Sequence, residues 1–178
     1  MPKSPLPHPY ENAAPLFEGR KIDLYVVGKR EFVIHPGAVV ILPLLSDDEV
    51  ILIRNERFVV NETLWELPAG TLEPNENPLY AAHRELIEEI GYQANVMDPL
   101  FDFYTTPGFC NEKIHAFAAK DLTLVGQNLD PDEKITAEVL KWGKVMTMIK
   151  DGTIHDSKTI ATLLYYSQFK SHAPSKAL

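Results

Sequence analysis

Gly70 to Tyr92 reads GTLEPNENPLYAAHRELIEEIGY. Its second half carries helix signals: Asn77 suits an N-cap, Pro78 the first helical position and Gly91 a left-handed stop. Leu79, Ala82, Leu86 and Ile90 recur at spacings of three and four and predict one apolar stripe. Glu85, Glu88 and Glu89 lie beside that stripe. Successive helix positions turn by about 100°, so Glu88 and Glu89 fall about 60° and about 40° to either side of Glu85. Like charges this close repel unless a cation sits among them, and hard divalent cations prefer carboxylate oxygens. Arg84 precedes Glu88 by four residues and can pair with it or with Glu76. The bland alternative is a solvated acidic face. The fixed spacing of Gly70, Glu76 and Gly91 around the three acids argues against it.

Outward from this segment the chain alternates strand and helix signals. Lys21 to Val27 alternates apolar and polar residues, Gly28-Lys29 can turn, and Arg30 to Ile34 runs back, which predicts a hairpin. Gly37 to Leu44 (GAVVILPL) and Glu49 to Arg54 (EVILIR) read as buried strands around a Ser46-Asp47-Asp48 turn. Leu64 to Leu67 reads as a short extended segment stopped by Pro68-Ala69-Gly70. Residues 93–104, 112–119 and 138–143 read as further strands, and 144–150 and 157–169 as helices. Strands on both sides of one helix, with helices closing the chain, predict a mixed sheet sandwiched by helices. The division expected is a flexible 1–15, an N-terminal β-hairpin at 16–36, a main domain at 37–170 and a flexible tail at 171–178.

The 178 residues suit one core, and 45% hydrophobic with 24% charged content is ordinary for a globular chain. A formal net charge of -8 disfavours nucleic acid as a partner. No apolar run approaches the roughly 20 residues of a membrane helix, and the proline-rich start lacks the apolar stretch of a signal peptide. The single cysteine, Cys110, fits a reducing cytoplasm.

The central segment resembles the Nudix box, G-x5-E-x7-R-E-U-x-E-E-x-G-U with U apolar. Gly70, Glu76, Arg84, Glu85, Glu88, Glu89 and Gly91 fill every fixed position, and Leu86 fills the first U. Tyr92 stands at the last U, where an aliphatic residue is more usual. The resemblance implies an α/β/α sandwich and Mg2+-dependent hydrolysis of a nucleoside diphosphate linked to another moiety, with Mn2+ as the alternative ion. It also implies metal ligands at Glu85, Glu88, Glu89 and the Ala69 carbonyl, with Arg84, Glu76 and Gly70 in support.

Flanking segments narrow the branch. Trp65 to Gly70 (WELPAG), Thr106 to Lys113 (TPGFCNEK) and Gly152 to Thr159 (GTIHDSKT) resemble segments of the ADP-ribose and nucleoside diphosphate sugar pyrophosphatases, where a proline at the place of Pro107 marks ADP-ribose cleavage. The resemblance implies that Glu112 binds metal or deprotonates water, on a loop able to close over the site. Glu133 is a weaker candidate for the same task. Arg54 and Arg57 flank the loop leading to WELPAG and suit diphosphate oxygens, or simply meet solvent. Glu56 departs from the aromatic usual beside Arg57. Phe17, Tyr25, Phe32 and Phe58 are candidates to stack on a purine or to pack the core. The implied activity is cleavage of ADP-ribose or a related nucleoside diphosphate sugar by a homodimer, with the 16–36 hairpin as the dimerisation element the resemblance implies. GDP-mannose cleavage is the enzymatic alternative, and an ADP-ribose-binding sensor is the non-enzymatic one.

Overall fold

A computed structural model describes residues 12–129 and 134–170. The chain first lays down β1 (Ala14–Glu18), β2 (Asp23–Val27) and β3 (Arg30–Ile34), then β4 (Ala38–Pro43) and β5 (Glu49–Arg57). β6 (Glu62–Glu66) and β7 (Ala69–Thr71) lead into α1 (Pro78–Ile90), and β8 (Tyr92–Tyr104) and β9 (Lys113–Leu124) follow it. β10 (Ile135–Lys141), α2 (Trp142–Lys150) and α3 (Ser157–Phe169) complete the fold. A four-stranded sheet runs β7-β4-β9-β8, parallel only between β4 and β9. A three-stranded antiparallel sheet runs β10-β5-β6, and the N-terminal strands form a third sheet, β1-β2-β3.

The period of two along the central strands builds a sandwich. On β4, Ala38, Val40 and Leu42 face a core that includes Val145 and Met148 of α2 and Leu163 of α3. Val39 and Ile41 face the opposite core, against Ala81, Ala82, Leu86 and Ile90 of α1. Val50 and Leu52 of β5 join the first core, and Ile51 and Ile53 the second. Each fully buried aliphatic side chain contributes about 1.5–3 kcal/mol by transfer from water. Strands carrying such residues on both faces must lie between two helical layers. Among the described residues no helix is long and apolar enough to cross a membrane.

α1 begins and ends where its local chemistry dictates. The Asn77 side chain accepts the Leu79 N–H at 2.9 Å, and Gly91 closes the helix at φ 72° with its N–H on the Ile87 carbonyl. A Cβ on Gly91 would stand 2.6 Å from the Gln127 backbone nitrogen, so both the dihedral and the space require glycine.

Several expectations need correction. The predicted N-terminal hairpin is present as β2 and β3, but β1 pairs on its outer side to make three strands. Pro68-Ala69-Gly70 does not simply stop a strand. Ala69 to Thr71 pairs antiparallel with β4, with Val39 opposite Gly70. β5 continues three residues past Arg54, so Asn55, Glu56 and Arg57 belong to the sheet and not to a loop. Leu79 is exposed, and Ala81 takes its place in the buried face of α1. Of the expected flexible segment 1–15, residues 1–11 lie outside the described residues, as does the expected tail 171–178, whereas Ala14 and Pro15 begin β1.

Candidate active site

α1 and β7 build the floor of the site together. Glu85 and Glu89 are not beside the buried face of α1 but in it, at 8% and 2% exposure. Buried carboxylates demand partners, and β7 crosses the helix where it can supply them. The Ala69 N–H donates to Glu89 Oε2 at 2.8 Å. At the next residue, Gly70 has no side chain, and a Cβ built there would stand 1.9 Å from the Glu85 carboxyl carbon. Glycine is therefore what lets that carboxylate lie against the strand.

Arg84 ties the acids to one another. Its Nε and Nη2 each donate to Glu76 at 2.9 Å, and its Nη1 reaches Glu85 at 2.7 Å and Glu88 at 2.9 Å. Hydrogen bonding to Arg84 holds the Glu76 carboxyl below the usual carboxylate range, and the carboxylates raise the arginine in turn. The expected alternatives, Arg84 on Glu76 or on Glu88, are both realised. The three helix acids do not close on one point: among the described residues no three His, Cys, Asp or Glu side chains form a metal cage. Arg84 neutralises Glu85 and Glu88 while Glu89 turns to the Ala69 amide. The donor set nonetheless fits a hard divalent cation. It is all oxygen, and two of its carboxylates meet adjacent residues of one strand.

These groups open onto a cleft of about 760 Å³. Arg84, Glu85, Glu88 and Glu89 line it, together with Asn55, Glu56 and Arg57 of β5 and with Arg20, Lys21 and Lys134. A second cleft of about 350 Å³ adjoins it. The two share Arg57, Ala69, Gly70 and Thr71. Glu112, Thr105, Thr106 and the start of α3 (Asp156, Ser157, Lys158) line the second.

The segment carrying Glu112 is stitched down. Val33 of β3 donates to the Phe109 carbonyl at 2.7 Å and accepts from the Asn111 N–H at 3.3 Å, and the His35 N–H donates to Asn111 Oδ1 at 2.7 Å. Thr105 Oγ1 donates to Glu112 Oε2 at 2.6 Å, and His35 Nε2 lies 3.6 Å from Oε1. Burial holds His35 below its ordinary pKa, against the pull of Glu112. The loop that carries Glu112 is thus hydrogen-bonded to the end of the N-terminal sheet. Pro107 is exposed within it and lines neither cleft.

Arg57 sits at the seam of the clefts, while Arg54 does not reach them. Arg54 lies over the Trp65 ring, 4.8 Å from its centroid, with its Nε buried and lacking an acceptor among the described residues. Phe32 stacks on Tyr25 at 6.0 Å and lines neither cleft. Phe17 and Phe58 are exposed, so neither packs the core. Glu133 lies outside the described residues.

Sequence reasoning missed the partner of Arg57. Glu66, fully buried at 0%, takes Arg57 Nε at 2.7 Å and Nη2 at 2.6 Å, and also Lys158 Nζ at 2.9 Å. The signal was present as an acid between apolar neighbours in Leu64-Trp65-Glu66-Leu67, where burial implies a paired charge. Arg20, Lys21 and Lys134 were also missed. Arg20 and Lys21 come from the bend between β1 and β2 and Lys134 from the residue before β10, and they carry no local pattern.

A family model described as NUDIX domain matches residues 34–163. The chain is 36% identical over 166 residues to an ADP-ribose pyrophosphatase of Bacillus subtilis (strain 168), covering 87% of this chain and 89% of that one. It is 35% identical over 161 residues to a methanol dehydrogenase activator of Bacillus methanolicus, covering 84% and 87%. It is 36% identical over 138 residues to a GDP-mannose pyrophosphatase of Yersinia enterocolitica serotype O:8, covering 72% of each. With Gly70, Arg84, Glu85, Glu88 and Glu89 of the box lining one cleft, and with this match across most of its length, the chain belongs to the Nudix family.

Proposed function

We propose that the chain hydrolyses the diphosphate bridge of ADP-ribose, giving a nucleoside monophosphate and a sugar phosphate. At the coarser level the chain is a Nudix pyrophosphohydrolase acting on a nucleoside diphosphate sugar-like bond. The observation that carries a diphosphate-bridged substrate is the two-lobed cleft, with Arg57 and Ala69–Thr71 at its seam. It supports a ligand with two ends and a diphosphate between them. The ADP-ribose pyrophosphatase relative supports adenosine and ribose as those ends. The GDP-mannose pyrophosphatase relative supports the second reading, a different base and sugar in the same lobes.

In this mechanism Glu85, Glu88, Glu89 and the Ala69 carbonyl would hold Mg2+, or Mn2+. The bound ion supplies charge neutralisation at the phosphates and acidifies a water. The chain's own groups do the rest. Arg57 holds a phosphate through a forked guanidinium. Arg84 fixes the rotamers of Glu76, Glu85 and Glu88. Glu112, oriented by Thr105, or one box glutamate takes the proton of the attacking water. The new P–O bond forms as the bridging P–O bond breaks, and the second phosphate leaves with the bridging oxygen. A binding-only sensor has no need of this complete acid set.

A panel of ADP-ribose, GDP-mannose, UDP-glucose and dinucleoside polyphosphates, with product identification, tests the reading. ADP-ribose is expected to show the highest kcat/KM, with activity lost in chelator and restored by Mg2+. A panel led by GDP-mannose overturns the ADP-ribose assignment, and chelator-insensitive turnover overturns the metal assignment.

The functional unit in this reading is a cytoplasmic homodimer. All five residues of β1 are exposed, Leu16 and Phe17 among them, on the outer edge of the N-terminal sheet. An apolar edge strand of this kind favours a covering partner. Light scattering is expected to give twice the chain mass; a stable monomer at assay concentration refutes the dimer.

A further inference from the structure

We propose that the buried Glu66, paired with the partly buried Lys158, positions the Arg57 guanidinium at the seam of the two clefts, aimed at the substrate diphosphate. This rests on the reading of the site as one that takes a diphosphate-bridged ligand. It concerns residues outside the box, contributed by three separate elements.

The geometry is specific. Glu66 ends β6, Arg57 ends β5, and Lys158 opens α3. The Glu66 carboxylate accepts both Nε and Nη2 of Arg57, the bidentate arrangement that fixes a guanidinium in plane and direction. That engages one edge of the fork. No further acceptor for Arg57 is found among the described residues, and the side chain is 41% exposed at the wall common to both clefts. Lys158 Nζ donates to the same Glu66 at 2.9 Å and to Asp156 Oδ1 at 2.7 Å. Asp156 in turn caps α3 by accepting the Thr159 N–H at 2.9 Å. Thr159 Oγ1 accepts the Leu67 N–H at 2.9 Å, so the end of β6 and the start of α3 are bound at two points.

The cluster holds two cations and two anions, so it is neutral as a unit. Burying such a set adds little net stability, because desolvation cancels much of the attraction. What it does produce is direction. A guanidinium on a strand end facing water samples many rotamers, and each phosphate it binds must first order it. With one edge locked on Glu66, the other edge is already placed. Glu66 and Lys158 are positioning residues here, since they act through Arg57.

The test is calorimetric titration of ADP, in buffer with Mg2+, into the wild-type protein, Arg57→Gln, Glu66→Gln and the double variant. Glu66→Gln keeps the shape and removes the bidentate pair; it is expected to weaken ADP binding by about tenfold or more, as loss of a charge-assisted pair implies. Arg57→Gln is expected to lose at least as much, and the double variant no more than Arg57→Gln alone. Steady-state kinetics on the cleaved sugar nucleotide should place the loss in KM, with kcat within about threefold. A purely structural Glu66 would instead lower the melting temperature and multiply with Arg57→Gln. Should Glu66→Gln fail to fold, Glu66→Asp keeps the charge but retracts it by one methylene, and should still weaken ADP binding. Wild-type ADP affinity in a folded Glu66 variant, losses that multiply in the double variant, or no ADP affinity in the wild-type protein would each overturn the proposal. The binding arm needs no turnover, so a failure of hydrolysis and a failure of positioning register separately.

Discussion

Glu89→Gln is expected to lower kcat by about 100-fold or more, the scale on which removing one preorganised electrostatic partner acts, while leaving the fold intact. The separation of the two effects follows from where Glu89 sits. It is 2% exposed, and its Oε2 accepts the Ala69 N–H at 2.8 Å. Glutamine keeps an oxygen to accept that bond and nearly the same volume. It removes the negative charge, which is the costly part of the group to bury, so stability should hold or rise slightly. The loss falls on the donor set, where a full anionic oxygen becomes a neutral amide and suits a hard cation less well. The check is kcat under saturating Mg2+ beside a melting curve. Full activity with a normal melting curve would remove Glu89 from the ligand set.

Local signals in the chain translated directly into structure, and non-local ones did not. The bounds of α1 follow from Asn77, Pro78 and Gly91, which act within one turn of themselves, and the helix runs over the residues they mark. Continuous apolar runs in β4 and β5 announced strands buried on both faces, as their alternation between two cores bears out. β7 left no such mark: three residues after a proline become a strand only because β4 offers them a free edge. Leu79 fell outside the core because the buried face of α1 is centred on Ala82, Leu86 and the two acids. Within the site, the box acids were legible as a repeat, but their division of labour was not. Arg84 takes Glu76, Glu85 and Glu88, and a backbone amide takes Glu89, because a strand 15 to 20 residues upstream crosses the helix there. Arg57 was singled out as a candidate for diphosphate oxygens, and the structure puts it in the wall common to both clefts. That it is held by Glu66 required bringing β5, β6 and α3 together.

Gly70→Ala is the companion result, and its interest lies in damage without unfolding. A Cβ at this position would fall 1.9 Å from the Glu85 carboxyl carbon and 1.9 Å from Oε1, distances at which something must move. The strand is held in register between Ala38↔Thr71 and Val40↔Ala69, so the backbone is not what yields. The clash is with the far end of a flexible side chain, and Glu85 can swing away at modest cost. Swinging breaks its 2.7 Å bond to Arg84 Nη1 and withdraws one oxygen donor from the floor of the cleft. Displacing a group that orients a metal ligand commonly costs about 10- to 100-fold in metal affinity or activity. The expected outcome is therefore a raised Mg2+ requirement and a kcat/KM lower by about that factor, with a melting temperature within a few degrees of wild type, since the cores of α1 are untouched. Calorimetric Mg2+ titration beside the kinetics reads both. The Glu85→Ala background supplies the sharper comparison: with the carboxylate gone, Gly70→Ala should cost nothing more. A further loss in that background would mean that the glycine serves the strand, and not the carboxylate that leans on it.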